Sequence, residues 1–85
     1  MTLLSIDPGN IESAFVLYDG QRPTLFGKWD NRTILRWLTV GEHGAERCAI
    51  ETMKPRGMAM SFEAMQTQLW AGRFMQAWYE RTGGE

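Results

Sequence analysis

Two carboxylates in this sequence stand where acidic side chains can bind a metal ion. Asp7 ends the apolar run of residues 3–6, and Glu51 directly follows the apolar run of residues 48–50. Short apolar runs of this kind are typical of buried strands. Carboxylate oxygens are ligands that Mg²⁺ and Mn²⁺ prefer. If the two strand ends meet, the sequence predicts a site in which Asp7 and Glu51 share a divalent cation.

The residues after Asp7 favour a fixed position for its side chain. Pro8 disfavours helical backbone angles in the residue before it, so Asp7 is expected to be the last extended residue of its strand. Gly9 then allows a tight turn. An Asp that only opens a turn is the alternative interpretation of the same residues.

The elements between the two carboxylates decide whether their strand ends meet. Residues 14–18 and 24–29 flank Asp19-Gly20, which is typical of a β-hairpin. Asp30-Asn31 is expected to cap a helix that ends near Gly41 and Gly44. Because that helix is a crossover connection, residues 47–50 should run parallel to the first strand. This topology predicts that Asp7 and Glu51 lie at the same edge of the sheet.

A second, longer helix is predicted from about residue 62 to residue 81, with Ser61 as its N-cap. It has two apolar faces: Phe62, Met65, Leu69 and Gly72 lie on one, and Trp70, Phe74 and Trp78 lie roughly opposite. One face is expected to pack on the sheet and the other to meet a missing part of the domain or a second copy of the chain. If a second copy covers that face, Trp70, Phe74 and Trp78 would form the dimer interface; an aromatic-rich core helix in a compact monomer is the alternative.

Composition limits the class of protein. The 85 residues form one small domain, 44% of them are hydrophobic, and the net charge is −1, so any nucleic-acid binding must come from a local basic patch. The single cysteine, Cys48, is expected to be a small core residue, and His43 a solvated side chain in a Gly-rich loop. No leader or membrane-spanning run is evident, so we expect a cytoplasmic protein without membrane contact.

An ordered set of short motifs carries a resemblance to a known family. It comprises Ile6-Asp7-Pro8-Gly9, residues 13–17, Ile50-Glu51, Gly57-Met58 and residues 70–74. In this order and spacing the set resembles the RuvC-type crossover-junction endonucleases, particularly the compact phage enzymes, which share the ribonuclease H-like fold. The resemblance runs over nearly all of the chain but matches only the N-terminal part of such a nuclease.

The resemblance implies a fold, an activity and partners. The expected fold is α/β, a mixed sheet of about four strands, three antiparallel and one parallel, with two helices. The implied activity is Mg²⁺- or Mn²⁺-dependent hydrolysis of branched double-stranded DNA, such as Holliday junctions, by a homodimer in a bacterial or phage-infected cell. Asp7 would bridge two ions and Glu51 would bind one of them. The expected DNA-backbone contacts are Lys54, Arg56, Lys28 and Arg73.

The chain departs from the family after the long helix. The family's fifth strand and closing helix, which bring the remaining acidic ligands, do not follow, so we expect a fragment, a truncated product or a degenerate relative with an incomplete metal site. A non-catalytic DNA-binding or dimerisation module therefore remains an alternative function. An actin-like ATPase is disfavoured, because residues 10–13 lack a Gly-rich phosphate loop and Glu12 would repel phosphate.

Overall fold

A computed structural model describes residues 2–52 and 61–83 of the chain. The elements follow in the order β1 (Leu3–Asp7), β2 (Glu12–Tyr18), β3 (Pro23–Asp30), α1 (Asn31–Val40), β4 (Arg47–Ile50) and α2 (Phe62–Thr82). The sheet has the strand order β3-β2-β1-β4. β1 pairs antiparallel with β2 and parallel with β4, and β2 pairs antiparallel with β3. The predicted α/β class, with a four-stranded mixed sheet and two helices, is confirmed.

The hairpin between β2 and β3 is closed by the side chain of Asp19. Its carboxylate accepts hydrogen bonds from the backbone N–H of Gln21 at 2.8 Å and of Arg22 at 3.0 Å. These bonds favour the charged form and lower the pKa of Asp19. Gly20 adopts a φ of 104°, which only glycine adopts readily. The predicted Asp-Gly hairpin is therefore present, with residues 19–22 as its turn.

Both helices begin and end at the residues that capping rules indicate. The Asp30 carboxylate accepts from the Thr33 N–H at 2.8 Å, and the Ser61 hydroxyl accepts from the Ala64 N–H at 3.1 Å. Gly41 ends α1 with a left-handed φ of 76° and donates its N–H to the carbonyl oxygen of Trp37. Gly83 ends α2 in the same way. Local sequence thus fixes the length of each helix.

The core lies on one face of the sheet, where both helices pack. Leu4, Ile6 and Phe15 point to this face, and Ile6 is directly opposite Phe15 in the β1–β2 register. They form one buried cluster with residues of both helices, namely Ile34, Leu38, Phe74, Ala77 and Trp78. The side chains that alternate with the core residues of β1 and β2 lie on the other face, called here the open face.

The structure corrects the predicted dimer interface. Phe74 is fully buried and Trp78 is 5% exposed, both within the core of the chain itself. Trp70 is half-buried and packs beside them, 5.9 Å from Phe74 between ring centroids. These three residues are therefore the face of α2 that packs on the sheet and α1. The face that α2 leaves exposed is the opposite one.

The prediction of a solvated His43 is wrong. The ring is buried between two tryptophans, stacked on Trp78 at 5.4 Å and edge-on to Trp37 at 5.7 Å. Its Nδ1 accepts a hydrogen bond from the Ala45 N–H at 2.9 Å. The loop after α1 thus folds back over the core, with the imidazole between Trp37 of α1 and Trp78 of α2.

Within residues 2–52 and 61–83, neither helix combines the length and apolar character that crossing a bilayer requires.

Candidate functional site

The parallel pairing of β1 with β4 brings the two predicted carboxylates to neighbouring strand ends. The register runs from Leu3 opposite Arg47 to Ile6 opposite Ile50. One residue further on, the Glu51 N–H donates a hydrogen bond to the Ile6 carbonyl oxygen at 3.0 Å, which extends the ladder beyond β4. Ile6 and Ile50 are therefore direct partners, and Asp7 and Glu51 are the residues that follow them.

Both carboxylates belong to the open face. Ile6 points into the core, so alternation places Asp7 on the opposite face, and the same holds for Glu51 after Ile50. Both residues are exposed. Asp7 lies opposite the small residue Ala14 in the β1–β2 register. Both carboxylates are therefore accessible on the open face, and the residue beside Asp7 on β2 is small.

A buried hydrogen-bond network holds the turn after Asp7. The Ser13 hydroxyl accepts from the Gly9 N–H at 3.0 Å and donates to the Asn31 side-chain oxygen at 2.5 Å. The Asn31 amide nitrogen donates to the Gly9 carbonyl oxygen at 2.9 Å, and its backbone N–H donates to Ile11. Ser13 and Asn31 are each 1% exposed. The network ties the turn to the first residue of α1 and so limits movement of Asp7.

Gly9 is required by close packing within the same turn. A Cβ at this position would collide with the carbonyl oxygen of Glu12, which belongs to the backbone and cannot move aside freely. The prediction that Gly9 permits the turn is consistent with this contact. Together with Ser13 and Asn31, it makes the Asp-Pro-Gly turn a rigid support for the acidic residue.

Sequence reasoning missed the position of Glu12. Asp7 lines a surface hollow together with Asn10, Ile11, Glu12 and Lys28. Glu12 lies two residues from Ala14, the partner of Asp7, so it shares the open face. Its carboxylate is 4.0 Å from the Lys28 ammonium, in an exposed and therefore weak ion pair. The alternation of residues along the second strand was the signal that could have found it.

The structure separates the predicted DNA-contact residues. Lys28 lies in the hollow with Asp7. Arg73 lies on α2, with its guanidinium carbon 4.7 Å from the centre of the Trp70 ring. Lys54 and Arg56 lie outside the described residues, as do Gly57 and Met58. Of these four residues the structure describes two: Lys28 lies on the open face, and Arg73 lies on the helical side of the sheet.

The described part of the chain supplies a small set of candidate metal ligands. Within it, no group of three or more His, Cys, Asp or Glu side chains is arranged to bind a metal ion. Asp7 and Glu51 together suit a cation that keeps most of its water, because Mg²⁺ is commonly bound through one or two carboxylates. Cys48 is a different case: burial raises the pKa of its thiol to about 11, so it is protonated at neutral pH.

Comparison with known proteins leaves the family open. No family model matches the chain, and no curated protein or solved structure matches it.

Proposed function

We propose that the chain belongs to a RuvC-like, metal-dependent endonuclease that cuts branched DNA such as Holliday junctions. The observation that carries the proposal is the pairing of β1 with β4, which sets Asp7 and Glu51 at adjacent strand ends on the open face. The strand order and the single parallel pair are compatible with a ribonuclease H-like fold. Such an enzyme would act in the cytoplasm of a bacterium or of a phage-infected cell.

The proposed cofactor is Mg²⁺ or Mn²⁺, with Asp7 and Glu51 as its protein ligands. A divalent ion at a phosphodiester polarises the phosphate and activates water. In this proposal the Ser13–Asn31 network holds the turn that follows Asp7, so the backbone that carries this carboxylate would not have to be ordered when the cation binds. Lys28, beside Asp7, would contact the DNA backbone.

The proposed assembly is a homodimer that uses the exposed face of α2. Four large hydrophobic residues on this face are exposed, namely Phe62, Met65, Leu69 and Tyr79. With Gly72 and Gln76 they follow an alternating spacing of three and four residues. Apolar residues at this spacing form the line along which two helices pack together, called here the α2 seam. From Phe62 to Tyr79 the seam extends about 26 Å, enough for a continuous helix pair. Two-fold symmetry would suit a four-way junction.

A non-catalytic DNA-binding or dimerisation module is the second candidate function. It is favoured by the small number of metal ligands among residues 2–52 and 61–83. In this case the fold and the α2 seam would be retained, while Asp7 would serve mainly to shape the turn. The two functions differ in whether cleavage and cation binding depend on Asp7 and Glu51.

Cleavage of a labelled four-way junction in Mn²⁺ or Mg²⁺ tests the proposal, together with calorimetric titration of Mn²⁺. We expect slow, metal-dependent cleavage and weak Mn²⁺ binding, both abolished by Asp7→Asn and by Glu51→Gln. Glu63→Gln, which neutralises an exposed carboxylate on α2, is the matched control and should change neither. Junction binding without cleavage, and with no Mn²⁺ binding that depends on the two acids, would favour the non-catalytic module.

A further inference from the structure

A groove on the helical side of the chain adjoins the hollow that contains Asp7. It has a volume of about 520 Å³ and is lined by the loop after β1, the first turns of α1 and Trp70 of α2. Asn10 and Ile11 line both the groove and the hollow. A chain molecule that lies over these two residues would therefore touch both places at once.

Cationic side chains dominate the groove. Arg32 and Arg36 lie one helical turn apart on α1 and both line it. Among the described residues, the salt bridge present is Lys28–Glu12, so neither arginine is paired with a carboxylate in this way. Asp30 is the opposing charge. It already accepts two hydrogen bonds from Thr33, which with the nearby Arg32 lower its pKa, so it is committed to capping α1.

The groove also offers an apolar surface. Ile11 is 72% exposed at its rim. Trp70 is half-buried and held in place by its contact with Phe74 and by the guanidinium of Arg73, 4.7 Å from the ring centre. An aromatic ring fixed in this way, with an arginine stacked on it, is a surface on which nucleobases pack.

We propose that this groove binds an unpaired stretch of DNA, with phosphates on Arg32 and Arg36 and a base against Ile11 and Trp70. Duplex DNA does not suit it, because paired bases present their edges and keep their faces stacked on one another. The inference rests on the proposed function: the groove would hold the unpaired strand beside the phosphate that faces Asp7. It adds Arg32, Arg36 and Trp70 to the residues expected to contact DNA.

Fluorescence anisotropy with a labelled oligothymidylate, in EDTA, tests the groove without any metal. We expect the chain to bind the single strand more tightly than a duplex of equal length. Arg32→Gln combined with Arg36→Gln should weaken single-strand binding at least about tenfold and reduce its salt slope by about 1.4, since each phosphate contact contributes about 0.7. Trp70→Leu should weaken binding and leave the salt slope unchanged.

The matched control is Arg22→Gln combined with Arg47→Gln, which removes the same charge from exposed positions outside the groove. Equal losses in the two double variants, or a duplex bound as well as the single strand, would overturn the proposal. Circular dichroism of each variant confirms that it is folded. Because this binding is measured in EDTA and cleavage requires a metal ion, a failure of the groove and a failure of the nuclease are distinguishable.

Discussion

At the scale of single residues, Asn31 holds the turn that follows Asp7. Its side chain joins Ser13 to Gly9, and its backbone N–H is bonded to Ile11. Asn31→Ala would leave the Ser13 hydroxyl and the Gly9 carbonyl without their partner. A buried polar group that loses its partner costs about 1–3 kcal/mol, so we expect the free energy of unfolding to fall by that amount. Urea denaturation measures it.

Asn10→Ala is the matched control for this prediction. Asn10 lies in the same loop, is half-buried, and has no side-chain hydrogen bond to another described residue. Its removal should change the stability by less than about 0.5 kcal/mol. Equal losses in Asn31→Ala and Asn10→Ala would show that the network contributes nothing particular to the turn.

His43 makes folding depend on pH. Burial, and secondarily the positive charge of Arg81, lower the pKa of His43 below its ordinary value near 6.5. The folded state therefore excludes a proton that the unfolded state binds. The contribution of neutral His43 to the free energy of unfolding is therefore fully present above about pH 6.5, the ordinary pKa. It is lost as the pH decreases below that value. We expect the melting temperature to drop between pH 7.5 and pH 5.

His43→Phe isolates this effect, because the chain has a single histidine. Phenylalanine keeps an aromatic ring against Trp37 and Trp78 but has no proton to gain. The variant should lose stability at pH 7.5, since the Ala45 N–H loses its acceptor, and should show a flatter pH dependence. A variant as sensitive to pH as the original chain would assign the dependence to other groups.

At the scale of elements, the end of α1 depends on Gly41. Gly41 has a φ of 76°, and a Cβ there would lie 2.5 Å from Nε of Arg81, a flexible side chain that can move. Gly41→Ala should therefore cost about 1–2 kcal/mol, mainly for the left-handed backbone. Gly41→Asn should cost less, because Asn adopts this conformation more readily. Thermal denaturation of both variants checks this, and equal costs would mean that the contact with Arg81 dominates.

Elements were predictable from sequence wherever their signals are local. Asp30, Gly41 and Ser61 act through neighbours within a few residues, so the helices begin and end as expected. The faces of α2 were not predictable in this way. Both are apolar, and only the packing of α1 beside α2 decides that Phe74 and Trp78 enter the core. His43 was misjudged for the same reason, since its surroundings come from distant parts of the chain. Glu12 was overlooked although alternation along β2 places it on the open face.

At the scale of the whole molecule, the two helices cover one side of the sheet and the candidate acidic site lies at an edge of the other. The parallel direction of β4 relative to β1 could be anticipated, because a crossover helix precedes β4. The positions of cations around the site could not, since Arg32 and Arg36 become neighbours of Trp70 only when α1 packs on α2. Tertiary packing thus decides which charges surround the site.

The final prediction concerns association through the exposed seam of α2. If two copies pair along it, Leu69→Glu should place a charge near the centre of the interface and shift the chain toward monomer, because an unpaired buried charge is strongly unfavourable. Phe26→Glu is the matched control: Phe26 is 73% exposed, but it lies on β3 rather than on the seam. Sedimentation velocity over a range of concentrations measures the change. We expect at least about a tenfold weakening for Leu69→Glu and little change for Phe26→Glu, which corresponds to about 1.4 kcal/mol or more of association free energy. A chain that remains monomeric at the highest concentration, or two variants that weaken association equally, would rule out the seam as the dimer interface.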